Sequence, residues 1–188
     1  MFSALENPSA LIVIDLQKGV LALPLAHPTE PVLRNTRTLL DAFRIRNWPC
    51  FIVTVHGAAP GRTELPRPSH PRPDDWAEPE PILNIQPTDL RVHKHVWGAF
   101  THTHLHDQLQ QRRIRQLVIT GIATSLGVES TARSAFELGY HVSLVRDAMT
   151  DLTAEAHEHS CKYIFPRLGE TGTTADMIHL LARIKPSD

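Results

Sequence analysis

The stretch "VITGIATSLGVESTAR", Val118 to Arg133, carries the fold in miniature. An apolar and β-branched run ends at Thr120, a turn follows, and the remainder reads as a helix. Gly127 falls in or near the first turn of that helix. A glycine there costs on the order of 1 kcal/mol relative to alanine. Strand-to-helix junctions are also where open α/β sheets bind their ligands. The residue without a side chain therefore sits where chemistry is expected.

Working outward, "ALIVIDL" (10–16) and "CFIVTVH" (50–56) are short continuous apolar runs. Without alternation, such runs fit strands buried on both faces of a parallel sheet. "DLRVHKHV" gives a short strand ending near Lys94, and "RQLVITG" and "YHVSLVRDAM" give two more. Helical spacing appears in "EPVLRNTRTLLDAFRIRN", through Val32, Leu33, Thr36, Leu39, Leu40 and Phe43, with Pro31 in its first turn. "THTHLHDQLQQRRI" predicts a helix capped by Thr101 or Thr103. "SLGVESTARSAFELGY" predicts one stopped by Gly139. "TAEAHEHSCKYIF" and "TTADMIHLLARI" predict two more, with Thr153 and Thr173 as caps. Residues 58–87 hold eight of the fifteen prolines, a density that leaves only an ordered loop or lid. Strands alternating with helices predict a three-layer α/β/α fold around a mostly parallel sheet, in one domain spanning 1–188.

Composition narrows the function classes. Of the 188 residues, 41% are apolar and 21% charged, with 19 basic against 20 acidic side chains. A net charge of −1 creates no field that would draw nucleic acid or an anionic membrane. No apolar run approaches the roughly 20 residues of a spanning helix. "MFSALENPSA" has neither the basic start nor the apolar stretch of a secretory signal. Two cysteines in no metal or redox spacing, Cys50 and Cys161, point to a reducing cytoplasm.

Three features meet at the carboxyl ends of the expected strands: Asp15, Lys94 and the turn before Gly127. An aspartate ending an apolar strand is partly desolvated, which raises its pKa, and a nearby ammonium lowers it again. Such a pair suits a site that moves protons, and it equally suits a structural ion pair. Trp97 and Phe100 near Lys94 are candidates to pack on a flat substrate, or to belong to the core or a subunit interface. Trp76 is a candidate lid residue. His102 and His106 share a helix face, but no carboxylate accompanies them in zinc-site spacing, so no metal is expected. Cys161 in "HEHSCKYIF" and Cys50 are expected to be buried and structural. "GETGTT" has no lysine and no phosphate-loop context.

The blocks "ALIVIDLQKG", "VHKHVWGAF" and "VITGIATSLGVESTARSAFELGY", followed by "RLGETGTTADMI", resemble in order the signature blocks of the isochorismatase-like, or cysteine hydrolase, superfamily. The resemblance covers nearly the whole chain. It implies a six-stranded, mostly parallel sheet with helices on both faces, no cofactor, a small-molecule substrate, and a homo-oligomer (dimer or tetramer). Asp15 matches the catalytic acid/base and Lys94 the catalytic lysine, which would tune Asp15 and hold substrate charge. Ile122–Ala123 matches a non-proline cis peptide whose neighbourhood aims N–H groups at the substrate oxygen. Gly127 stands where most of the family has its cysteine nucleophile, which closes the thioester route. Isochorismatases resemble this chain in carrying glycine there. They hydrolyse an enol ether by protonating its vinyl carbon.

The chain departs from isochorismatases after both catalytic positions. "DLQKGVLALPL" lacks an aromatic pair, and His95, Val96 and Trp97 follow Lys94 where arginine and tyrosine are usual. The family's nicotinamidases bind a metal through an aspartate two residues before a histidine. Here that pair is Thr54 and His56, so a ligand is missing and His56 is left to line the pocket. The expected function is hydrolysis of a small acid or enol ether without a thiol. The alternatives are an amide hydrolase using Asp15-activated water, or a binding relative without turnover.

Overall fold

The computed structural model describes residues 2–65 and 71–184. Its centre is a six-stranded sheet: β1 (Ala10–Ile14), β2 (Cys50–Val55), β3 (Leu90–Lys94), β4 (Gln116–Ile122), β5 (His141–Thr150) and β6 (Glu170–Gly172). The strand order is β3-β2-β1-β4-β5-β6, and every pairing is parallel. Five of these strands correspond to the apolar runs. The three-residue β6 lies in "GETGTT" and has no local signal; it forms because the edge of β5 offers it unpaired backbone.

The described residues form seven α-helices, α1 (Lys18–Leu21), α2 (Thr29–Ile45), α3 (Leu105–Gln111), α4 (Glu129–Glu137), α5 (Ala154–His159), α6 (Phe165–Leu168) and α7 (Thr174–Arg183), two π-helical turns and one 3-10 turn at Pro81–Leu83. There the proline-rich stretch, expected to hold no helix, starts a short turn on Pro81, whose missing N–H costs nothing at a first helical position. The unbroken hydrophobicity of β1 has a simple cause. Ala10, Ile12 and Ile14 join the core on one face of the sheet, with Leu105, Leu109, Val128, Ala132 and Phe165. Leu11 and Val13 join the core on the other face, with Val32, Leu39, Leu40 and Phe43 of α2 and Met177 and Leu181 of α7. Both faces are covered, as parallel sheets require.

Local signals set most helix ends. Thr153 accepts the Ala156 N–H. Thr173 and Asp176 form a capping box at the start of α7. Gly139, at φ 86°, ends α4 in the left-handed conformation. The expected helix over 101–114 is shorter than predicted. His102 adopts φ 57°, α3 starts only at Leu105, and neither Thr101 nor Thr103 is its N-cap. Thr103, one residue before the N-cap His104, donates its hydroxyl to Ala99 O at 2.6 Å and accepts the Leu105 N–H at 3.3 Å.

The order of the strands reverses beside β1: the chain builds β2 and β3 on one side, then crosses to β4, β5 and β6 on the other. In open α/β sheets such a switch point opens a crevice beyond the strand ends. Gly121, at φ 123°, lets β4 pass there. A Cβ at that position would lie 2.0 Å from the Ile14 carbonyl oxygen, so no other residue fits.

Part of the proline-rich stretch lies over this crevice. The Lys18 N–H donates to Glu78 O, the Gly19 N–H to Trp76 O, and the Glu80 N–H to Leu16 O, each within 3.0 Å. Gln17 and Pro79 form an antiparallel bridge. Residues 76–80 are thus strapped to the segment after β1, as an ordered loop rather than a helix or core strand. Residues 66–70 of the same stretch lie outside the described residues.

Candidate active site

Asp15 follows β1 directly and adopts φ 51°. Aspartate is among the few residues that tolerate this region, where strain concentrates at functional sites. Its backbone N–H is held by Val53 O at 2.9 Å. Lys94, the last residue of β3, reaches across the end of β2. Its Nζ donates to Asp15 Oδ2 at 2.7 Å and to Val96 O at 3.1 Å. Both side chains are buried, with Asp15 5% exposed and Lys94 1%. Asp15 Oδ1 is also buried, and no donor reaches it among the described residues. Burial pushes the Asp15 carboxyl up to about 6, against the charge and hydrogen bond of Lys94, which pull it down.

The third element is the turn after β4. The Ile122–Ala123 peptide is cis. Residues Thr124–Val128 form a π-helical turn leading into α4, a feature frequent at functional sites. Asp151, at the end of β5, holds this turn: its Oδ2 accepts the Ser125 N–H at 2.6 Å and its Oδ1 the Leu152 N–H at 2.7 Å. Thr124 Oγ1 donates to Thr150 O at 3.0 Å. Gly127 is thereby pressed against the carboxylate. A Cβ there would meet Ile14 Cγ2 at 3.1 Å, Asp15 Oδ2 at 3.2 Å and Ile122 O at 3.3 Å. Glycine's role is less to open a large space than to let Asp15 lie this close to the turn.

These groups border a cavity of about 220 Å³. Asp15, Lys94, Gly127, Ile122, Ala123 and Trp97 line it together, as do Trp76 and the apolar Val20, Leu23, Val55, Leu126 and Leu152. Trp97 is 61% exposed, at the mouth. Two residues expected to face substrate do not line this cavity. Phe100 is carried away by the turn that ties the Ala99 N–H to Thr131 Oγ1, and it stacks on Tyr140 with ring centroids 6.0 Å apart. His56 turns toward the sheet edge, where its Nε2 lies 2.8 Å from His93 Nδ1 and 2.9 Å from Thr54 Oγ1. Burial and the neighbouring His93 hold the His56 imidazole below its ordinary pKa. This trio has no carboxylate, its donor atoms satisfy one another, and it does not fit a hard divalent ion. Among the described residues, no group of three or more His, Cys, Asp or Glu side chains is placed to hold a metal.

Val20 and Leu23 escape a reading of the sequence because α1 is too short to show periodicity. Leu126 and Leu152 are isolated apolar residues in turns. The cysteines lie elsewhere. Cys161 Sγ sits 3.7 Å from His157 Nε2, and burial pushes its thiol up to about 11. Cys50, at the start of β2, is pushed up to about 12 by burial.

A buried carboxyl–ammonium pair at the switch point of a 3-2-1-4-5-6 parallel sheet, bordering a small apolar cavity, places the chain among the α/β proteins that hold a small-molecule site beyond their strand ends. The chain belongs to the isochorismatase family: residues 9–176 match the isochorismatase domain. It is 40% identical over 177 residues to the isochorismatase family protein YwoC of Bacillus subtilis, covering 90% of this chain and 92% of that protein. An isochorismatase family protein of Burkholderia thailandensis superposes with a TM-score of 0.91 at 38% identity, over 95% of this chain and 98% of that one. Nicotinamidase 3 of Arabidopsis thaliana is more distant, at 26% identity over 164 residues, covering 80% of this chain and 77% of that protein.

Proposed function

We infer that this hydrolase works without a nucleophilic side chain, with Asp15 as general acid/base, Lys94 as its tuning partner and water as the nucleophile, on a small enol ether. The observation that carries this reading is the divided carboxyl group. Asp15 Oδ2 is bonded to Lys94, Oδ1 is unpartnered, and the adjoining position 127 bears only hydrogen. A carboxyl pushed up to about 6 is an effective proton donor near neutrality.

The steps balance as follows. Protonated Asp15 gives its proton to the vinyl carbon, whose π electrons form the new C–H bond. Water adds to the resulting oxocarbenium centre and returns a proton to the Asp15 carboxylate. The hemiketal then breaks its C–O bond while its hydroxyl proton passes to the leaving oxygen, giving a carbonyl compound and an alcohol and leaving Asp15 protonated for the next turnover. Backbone groups around Ala123 and Gly127 serve as the anion site for the leaving oxygen, on which negative charge builds as the hemiketal collapses. The working form is taken to be a homo-oligomer in the cytoplasm, acting on a freely diffusing substrate.

The pH profile tests the role of Asp15. As an acid it must be protonated, so kcat/KM for an enol ether is expected to fall as pH rises through about 6. An amide hydrolase using Asp15-activated water needs the carboxylate, and its kcat/KM would fall as pH drops through the same value. The amide reading is supported by the distant nicotinamidase relative. A profile flat from pH 5 to pH 8 contradicts both.

Alkylation tests the absence of a thiol. Both cysteines are buried with raised pKa values, so treatment with iodoacetamide at pH 7 is expected to leave turnover unchanged. Stoichiometric loss of activity on modification of Cys161 overturns the scheme.

A further inference from the structure

We propose that His157 is a positioning residue for the turn after β4: its Nδ1–H donates to Thr124 Oγ1 and fixes the backbone that carries the anion site around Ala123 and Gly127. The catalytic part of this inference rests on the reaction proposed above; the hydrogen-bond chain itself does not. His157 belongs to α5 and does not line the cavity, so it acts through Thr124.

Proton counting gives the chain its direction. Thr124 is the first residue of the π-helical turn and is fully buried. Its hydroxyl has one proton to give. Thr124 Oγ1 lies 3.0 Å from Thr150 O, a carbonyl that can only accept, so the proton goes there. The same Oγ1 lies 2.8 Å from His157 Nδ1. A bare nitrogen would set one lone pair against another in a buried site, so Nδ1 carries the ring proton. Nε2 is then an acceptor. Cys161 Sγ lies 3.7 Å from it, and the thiol, pushed up to about 11 by burial, keeps a proton to donate. Burial and the neighbouring His27, whose ring packs edge-on at 5.0 Å, hold the His157 imidazole below its ordinary pKa, so it is neutral at pH 7. Donors thus run one way, from Cys161 to His157 to Thr124 to Thr150, and each finds one acceptor.

The surroundings give the chain its task. Within the turn, the Leu126 and Val128 N–H groups both close on Ala123 O at 3.1 Å. Those bonds shape the turn but do not tie it to the rest of the fold. The end of β5 ties it through Thr150 O and Asp151. His157 ties it from a second element, α5. Ser160, which opens the π-helical turn Ser160–Ile164 after α5, donates to Glu129 Oε2 at 2.6 Å, so the same run also holds the first residue of α4. The segment from Thr124 to Glu129 is bracketed at both ends. Gly127 lies between them with no side chain to anchor its own backbone. Its place beside Asp15 is therefore set from outside, by this frame.

The test uses three variants of the full chain. His157→Asn puts an amide nitrogen where Nδ1 stood and keeps a donor for Thr124. His157→Gln puts it where Nε2 stood, and His157→Leu has neither. Backbone hydrogen exchange needs no turnover. In the Leu and Gln variants the Ser125, Leu126 and Val128 amides are expected to exchange at least about tenfold faster than in wild type, while β1 and β4 keep their rates. For an enol ether, kcat is expected to fall about ten- to a hundredfold in the same two variants with KM within about twofold, and to stay within about threefold of wild type in His157→Asn. A residue that merely fills space predicts the reverse ranking, since glutamine replaces more of the histidine volume. The Asn–Gln comparison keeps the proposal falsifiable should His157→Leu fail to fold. Nitrogen-15 shifts of wild-type His157 are expected to show a protonated Nδ1 and a bare Nε2. The opposite tautomer overturns the proposal, as do better rescue by Gln than by Asn, unchanged exchange in the turn, and acceleration shared equally with β1. Wild-type kcat in a Gln or Leu variant whose turn exchanges faster also overturns it and leaves the mechanism. Absence of enol ether hydrolysis in wild type removes the mechanism, and the tautomer and exchange pattern then decide the role of His157 alone.

Discussion

Asp15→Asn is expected to lower turnover of an enol ether by about a thousandfold. Asparagine matches the carboxyl in shape but has no acidic proton to give to the vinyl carbon. In the wild type that proton resides on a group that burial pushes up to about 6, with Oδ1 buried and without a hydrogen-bond partner among the described residues. The comparison is made at pH 5.5, where much of the wild-type Asp15 is protonated, and on protein whose folding is verified by its melting transition. A residual rate near wild type removes Asp15 from the mechanism, because nothing else lining the cavity among the described residues is a carboxyl.

Lys94→Met is expected to destabilise the fold by about 3–5 kcal/mol at pH 8. It strands an ionised Asp15 at a site that is 5% exposed. The pH dependence follows from the sign of the shift. Burial already pushes Asp15 up to about 6 in the folded chain, above the ordinary 3.8 of an aspartate. Removing the ammonium raises it further, so between these values the folded state binds more protons than the unfolded state. Stability then falls as pH rises through this window. The variant is therefore expected to approach wild-type stability toward pH 4 and to be weakest at pH 8, as read by urea unfolding. The double variant Asp15→Leu/Lys94→Met removes both charges and is expected to recover most of the lost stability while remaining inactive. Should the single variant be as stable as wild type at pH 8, the buried ion pair is not the energetic centre of the site.

Amide hydrolysis and enol ether hydrolysis place opposite demands on one carboxyl group. The first needs a base, the second an acid. A raised pKa, with one oxygen anchored by Lys94 and the other buried without a donor among the described residues, favours the acid. A catalytic cysteine would have to enter a space where even its Cβ finds Asp15 Oδ2 at 3.2 Å. Gly127→Cys therefore tests two things at once: whether a thiol restores amidase chemistry, and whether the carboxylate tolerates being moved.

Local sequence determined what local physics can determine. Continuous apolar runs named β1, β2, β4 and β5 because strands buried on both faces have no polar side to show. The six apolar and threonine positions of α2 are its buried stripe. Thr153 and Thr173 capped their helices because a cap satisfies backbone donors within a few residues. Asp15, Lys94 and Gly127 stood out because each sits at the carboxyl end of a strand, where the fold class puts its chemistry.

Tertiary structure alone decided the rest. Asp15 and Lys94 are 79 residues apart in the chain, and only the sheet order brings them to 2.7 Å. Trp76 reaches the cavity through backbone pairing with residues 16–19 and the empty face of Gly19, neither of which has a periodic signal. Phe100 and His56 lie near Lys94 in sequence or register yet turn elsewhere, because a stacked tyrosine and a histidine–threonine trio satisfy them better. Periodicity reports whether a residue is buried. It does not report which distant residue it is buried against, since that depends on how the long crossovers of a parallel sheet close.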